Sequence, residues 1–474
     1  MSLLPMRLVA VAWLSSAVCL LSAPSASAQL LLNDGLENTV DMASSDLEVR
    51  DGPGPGLDPT TLFVVDDAIV AEQDDLSIAV FENSILQMSG GETAGGVSVA
   101  DQALAVVSGG AIAGEVLVED NAHFELSGDG TLESDVAVEG AAQFEMTGGT
   151  IEGEIALGDD AIGVFSGGTL EDTLAVEGSA LVTVNFVVSE DNVEAADDAV
   201  VDLLGGEFEG SLEAVDAAVM QITGGSFPAI FSDGEEVLAS GGGTIHILGG
   251  EFGVAGEEND EGGIIATLGS VVNYSGATIA GIADGNAPTA RFSAVLNGQV
   301  NLTNGAFGNL ALAAGNNGTL NVGDVTADEV TVATLAGGTV NFEGGAADTL
   351  EIFAELGSFI NLWGGDFAEI DLTLETNSVL TIFGHSFTYL GTPVESLPPG
   401  AFLADTGELR TIGGDLAGIL ADGSPFSMTY SRQFNPAPGA RVYLVQVPEP
   451  GTGVLAATVL IALVAGWRRC AAQA

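Results

Sequence analysis

Residues 101–157 read DQALAVVSGGAIAGEVLVEDNAHFELSGDGTLESDVAVEGAAQFEMTGGTIEGEIAL. Alternating apolar and polar runs here end in glycine turns at Gly109, Gly128 and Gly148. With Gly90 before and Gly167 after them, the steps are 19 or 20 residues. Gly205 follows two periods later, then Gly224, and the series resumes at Gly323, Gly344, Gly364 and Gly384. A period near 20 residues is the mark of a solenoid, in which each unit must stack on its neighbours to bury a core.

The unit can be written out. Six residues before each glycine stands a small residue: Ala103, Ala122, Ala142, Ala161, Ala199 and Ala218, then Gly338, Ser358 and Ser378, with Gly318 five before Gly323. Ala180 keeps this position in the coil that lacks the glycine. An alternating strand follows, as in Phe124-Glu125-Leu126, Phe144-Glu145-Met146 and Ile360-Asn361-Leu362. Period two buries one face of a strand. A single apolar residue follows the glycines (Ile112, Leu132, Ile151, Leu170), and then a second alternating strand such as Val116-Leu117-Val118 or Val136-Ala137-Val138. Each coil thus offers three inward apolar clusters between tight turns. The pattern predicts an all-β fold, a single-stranded parallel β-helix, with backbone groups paired between coils. Parallel crossovers favour the right-handed form. The span from Gly90 to Gly384 holds about 15 coils, a rod of about 70 Å at one strand spacing per coil.

The remaining segments fit around this rod. Residues 29–60 are polar and rich in Gly and Pro, and read as a linker and N-terminal cap. The solenoid is expected over 61–395, with an irregular insertion around 232–292 that includes the acidic run Glu257-Glu258-Asn259-Asp260-Glu261. Pro398-Pro399 should end the coils, and 396–446 should form a C-terminal β cap over the open edge. Asn301, Asn321, Asn341 and Asn361 fall 20 apart, with Thr381 at the next step. Stacked amides at such spacing predict a hydrogen-bonded ladder along the rod.

Composition narrows the function. Asp plus Glu number 67 and Lys plus Arg 8, a net charge of −59. All the basic residues are Arg. Such a chain offers no basic patch for nucleic acid or anionic lipid. Hydrophobic residues make up 47%, enough to build a large core, which argues against disorder. Cys19 and Cys470 both lie in terminal segments, so neither a disulfide framework nor a Cys-ligated metal is expected in the rod.

Both ends read as addresses. Residues 1–28 have a signal-peptide pattern: Arg7, the apolar run Leu8 to Leu21, and a cleavage site at Ala26-Ser27-Ala28 before Gln29. At the other end, Val447-Pro448-Glu449-Pro450 precedes an uncharged stretch, Gly451 to Trp467, and then Arg468 and Arg469. As a helix that stretch reaches about 25 Å, the short limit of a bilayer span. The arginines would stay on the cytoplasmic side. Order, spacing and position over 447–474 resemble the PEP-CTERM sorting signal of exopolysaccharide-producing Gram-negative bacteria. The resemblance is confined to this tail, and its basic cluster of two Arg is small for the family. It implies export across the inner membrane and transient anchoring by the tail helix. Processing by an exosortase-like membrane enzyme would follow, with delivery to the cell surface or an exopolysaccharide matrix.

Candidate chemistry is mainly acidic. Two residues before each small residue the turn carries Glu82, Asp101, Asp120, Asp159, Asp197 or Asp216, interrupted by Gly140 and Gly178. Stacked in register, these would form a carboxylate column about 5 Å apart, a candidate Ca²⁺ surface or else a solvated acidic edge. No other cofactor is indicated, and this anionic, repetitive side is expected to be the working surface. A β-helix also resembles pectin lyases and polygalacturonases, which implies a polysaccharide lyase or glycoside hydrolase as an alternative. Against it, Arg291 is the only basic residue between Arg50 and Arg410. His123, His246 and His385 lie in different coils, so they suggest no metal or base constellation, and His123 and His246, at outward strand positions, read as surface residues. A surface adhesin rod is the third alternative. The reading that fits best is a non-enzymatic, secreted surface or matrix protein.

Overall fold

The computed structural model describes residues 30–32, 36–40, 47–50, 59–65, 69–70, 76–230, 235–253, 263–279, 289–397, 401–403, 407–410, 413–432 and 439–447. Among them the chain is almost wholly β, with one short 3-10 turn at Val394–Ser396. The strands stack in parallel as a β-helix of about 15 turns. No helix among the described residues is long and apolar enough to cross a membrane.

Each coil contributes to three columns of strands. The first contains His123–Leu126, which pairs with Leu104–Ile112 on one side and Gln143–Ile151 on the other, Phe124 facing Ala105 and Phe144. The second follows the glycine turn, where Leu132 lies between Ile112 and Ile151. The third contains Val116–Val118, between Gly96–Val99 and Val136–Val138. Alternation decides which side chains enter the core. Val116 and Val118 are buried, while Leu117 between them is only partly covered. The inward residues form one continuous apolar column from Leu47 to Leu444. Phenylalanines stack along it: Phe124 on Phe144 at 5.4 Å, and Phe208, Phe227 and Phe252 at 5.1 and 4.5 Å. A fully buried side chain of this size contributes about 1.5–3 kcal/mol relative to exposure.

Turn chemistry explains the repeat. Gly149 has φ +90, and a Cβ placed there would sit 2.4 Å from the carbonyl oxygen of Gly130 one coil away. Phe186 takes the turn position one coil on from Gly167. It adopts φ 58, and the residue is 75% exposed. A bulky side chain in the left-handed region is uncommon and carries local strain.

The irregular middle keeps the stack. Leu212 pairs with Val237, Val237 with Ile264, and Ile264 with Phe292, so the coil is longer but the strand register continues. The acidic run Glu257–Glu261 lies outside the described residues.

The C-terminal end departs from simple stacking. Gly413–Leu420 and Pro425–Arg432 form an antiparallel hairpin, and the first of these strands also runs antiparallel to Val379–Tyr389. Two segments extend the parallel columns: Pro425–Arg432 pairs with Asp366–Leu374, and Arg441–Gln446 with Val379–Tyr389. Mixed pairing of this kind covers the edge that a solenoid would leave open.

Candidate functional site

The acidic turn column is assembled as one file. Glu82, Asp101, Asp120, Asp159, Asp197 and Asp216 all have positive φ, between 54 and 64. Gly140 and Gly178 occupy the same file, with φ 72 and 65. The shared requirement is a left-handed turn, which Gly, Asp and Asn tolerate best. The carboxylates also serve the backbone. Asp101 accepts from the N–H of Glu82 at 3.1 Å, Asp120 from Asp101 at 3.3 Å, and Asp159 from Gly140 at 3.3 Å. Asp197 accepts from Gly178 at 3.4 Å. A Ca²⁺ ion bound here would have to share these carboxylates with the neighbouring coil's backbone.

A second acidic group lies along the third column. Glu194 and Glu213 are adjacent partners in register. Burial, and then the charges of Asp191 and Glu177, push the Glu194 carboxyl above its usual range. Burial followed by Glu194 and Glu236 does the same to Glu213. Glu236 is raised by burial and by Glu235. Glu119 and Glu154 are raised by burial and by neighbouring acids.

The first column presents a different outer surface. Its outward positions form two files, as in Thr319 and Asn321 of one coil and Thr339 and Asn341 of the next. The asparagine file is a hydrogen-bonded ladder. Asn361 donates through Nδ2 to Oδ1 of Asn341, Asn341 to Asn321, and Asn321 to Asn301, each at 2.7 Å. Asn301 continues it to Asn273 at 2.7 Å, and Asn273 approaches Nδ1 of His246 at 3.3 Å. The 20-residue spacing showed four of these amides. Asn273 and His246 escaped because lengthened coils separate them, although they stand in register with Asn301. From Gln221 to Thr381 neither outward file carries an Asp, Glu, Lys or Arg. In a chain of 67 acids, this is an uncharged band.

Aromatic residues lie at the end of the band. Trp363, two residues after Asn361 and 40% exposed, stacks on Phe383 with ring centroids 3.5 Å apart and planes 5° from parallel. Phe359 also stands outward, beside Val379.

Of the proposed sorting residues, only Val447 is among the described residues, where its N–H donates to Gly384 O at 2.9 Å. Ala26, Ala28, Gln29, Pro448, Glu449, Pro450, Arg468 and Arg469 lie outside them. Comparison with family models, curated proteins and solved structures finds no match.

Proposed function

We propose that this chain is an exported, non-enzymatic rod of the cell surface or extracellular matrix that lies along exopolysaccharide. In this reading, residues 1–28 direct export. Val447-Pro448-Glu449-Pro450, the apolar stretch and Arg468-Arg469 then form the PEP-CTERM-like address that an exosortase-like enzyme processes. The coils wind right-handed, the hand that parallel crossovers take.

The observation that carries the glycan contact is the uncharged band. Side-chain amides both donate and accept hydrogen bonds, as sugar hydroxyls do. Exposed Trp363, stacked on the partly covered Phe383, adds flat apolar area of the kind that covers the C–H face of a sugar ring. The ladder repeats once per coil, so the contact can extend along a polymer rather than end at a pocket. A net charge of −59 repels polyanions at long range, which favours a neutral glycan.

Trp13 and Trp467 lie in the terminal segments, so a protein trimmed at both ends retains Trp363 as its one tryptophan. Titration of that protein with the host's exopolysaccharide, followed by tryptophan fluorescence and co-sedimentation, should give a saturable change that Trp363→Ala weakens. No fluorescence change and no co-sedimentation would remove the glycan contact.

A further inference from the structure

Coil stacking brings together three side chains that the linear sequence separates. His123 and Glu125 lie two apart on the strand His123–Leu126, so both project from the same outer face. On the next coil, Glu145 stands directly beside Glu125 in the parallel register. Nε2 of His123 is 3.7 Å from a Glu125 carboxylate oxygen and 4.0 Å from one of Glu145. The donor atoms of all three residues lie within 4.8 Å of one another. Nε2 is closed off from water and makes no hydrogen bond. A shielded imidazole nitrogen therefore faces two carboxylates at a distance too long for hydrogen bonding. A positive ion between them would satisfy all three.

We propose that His123, Glu125 and Glu145 bind a divalent transition metal, with Zn²⁺ as the best fit. Imidazole with carboxylate is a donor set for Zn²⁺ and its first-row neighbours, unlike the oxygen-only shells of Ca²⁺ and Mg²⁺. Ligands about 2.0–2.1 Å from a tetrahedral Zn²⁺ stand about 3.3–3.4 Å apart, so from 3.7, 4.0 and at most 4.8 Å the donors close by about half an ångström at the imidazole and by up to about 1.5 Å between the carboxylates, within the reach of two partly exposed Glu side chains. Two carboxylates neutralise the ion's charge. Three protein ligands leave a coordination position open to water or to an outside donor. The site is independent of the glycan reading and of the acidic turn column.

The competing arrangement is a protonated His123 held between the two glutamates, and metal titration separates the two. The processed protein, stripped with EDTA and exchanged into metal-free buffer, is titrated with Co²⁺ and read by visible absorption. Competition with Zn²⁺ follows. The expected result is one saturable Co²⁺ site per chain, displaced by Zn²⁺. His123→Gln should abolish it and Glu145→Gln should weaken it about tenfold or more, while His246→Gln leaves it intact. Circular dichroism of each variant checks the fold. If His123→Gln does not fold, Glu145→Gln, a change at a partly exposed carboxylate, decides the matter. Weak binding of many ions with no visible band, or a band that the His123→Gln or Glu145→Gln variant retains unchanged, would overturn the proposal.

Discussion

Asn361 donates a side-chain hydrogen bond to Asn341 at 2.7 Å, and Asn341 passes the same bond to Asn321. One amide thus fixes the register of three coils. Asn341→Ala breaks both links and leaves water to replace them on a half-covered face. The expected cost is about 1 kcal/mol, with a lower melting temperature and faster hydrogen exchange in strands Thr319–Thr334 and Phe359–Leu362. Exchange unchanged from the wild type would show that the ladder adds nothing to coil pairing.

Phe186 is held at φ 58 with its ring in solvent. Phe186→Gly should relieve the turn and lose little burial, raising stability by about 1 kcal/mol in a denaturant titration. A loss of stability would mean that the ring makes contacts worth more than the strain.

Asp120 has φ 61 and accepts the N–H of Asp101. Asp120→Asn keeps both the turn preference and an acceptor, so it should be nearly neutral. Asp120→Val loses both and should cost about 2 kcal/mol, within the usual range for a strained turn plus a lost hydrogen bond. Equal effects from the two substitutions would contradict the turn role. Addition of millimolar Ca²⁺ tests the other reading of this column. A rise in melting temperature beyond that given by equal ionic strength of Mg²⁺ would mark it as a Ca²⁺ site.

Acid should stabilise the rod over a defined range. Burial and like charge raise the carboxyls of Glu119, Glu154, Glu194, Glu213 and Glu236 above their unfolded value. The folded state therefore holds more protons than the unfolded one between those values. Stability must fall as pH rises through this window. The melting temperature should be higher near pH 5 than at pH 8. Glu213→Gln should raise the value at pH 8 and flatten the dependence. A melting temperature that falls steadily on acidification from pH 8 to 5 would contradict this.

Much of the fold was legible because one period governs several residue types at once. Gly109, Ala122, Phe124 and Val118 each repeat in coils that pair in register. The acidic file was equally visible, but the reason for it was not. Gly140 and Gly178 at the same positions were the available signal, since Asp and Gly share a tolerance for the left-handed turn. The uncharged band and the His123 cluster were harder to see. Lengthened coils hide the band's Asn273 and His246 from spacing alone, whereas Glu125 and Glu145 keep the regular 20-residue step and only the stacked side chains show His123 between them. Asn273 joins Asn301 across 28 residues, while Asn321 joins the same residue across 20.

The most direct test is peptide mass mapping of this protein in the exopolysaccharide fraction of its native host, against the inner-membrane fraction. The matrix-borne protein is expected to begin near Gln29 and end close to Pro450, with no peptide from Trp467 to Ala474. A full-length chain that keeps those residues and stays with the inner membrane would contradict both the sorting and the matrix role.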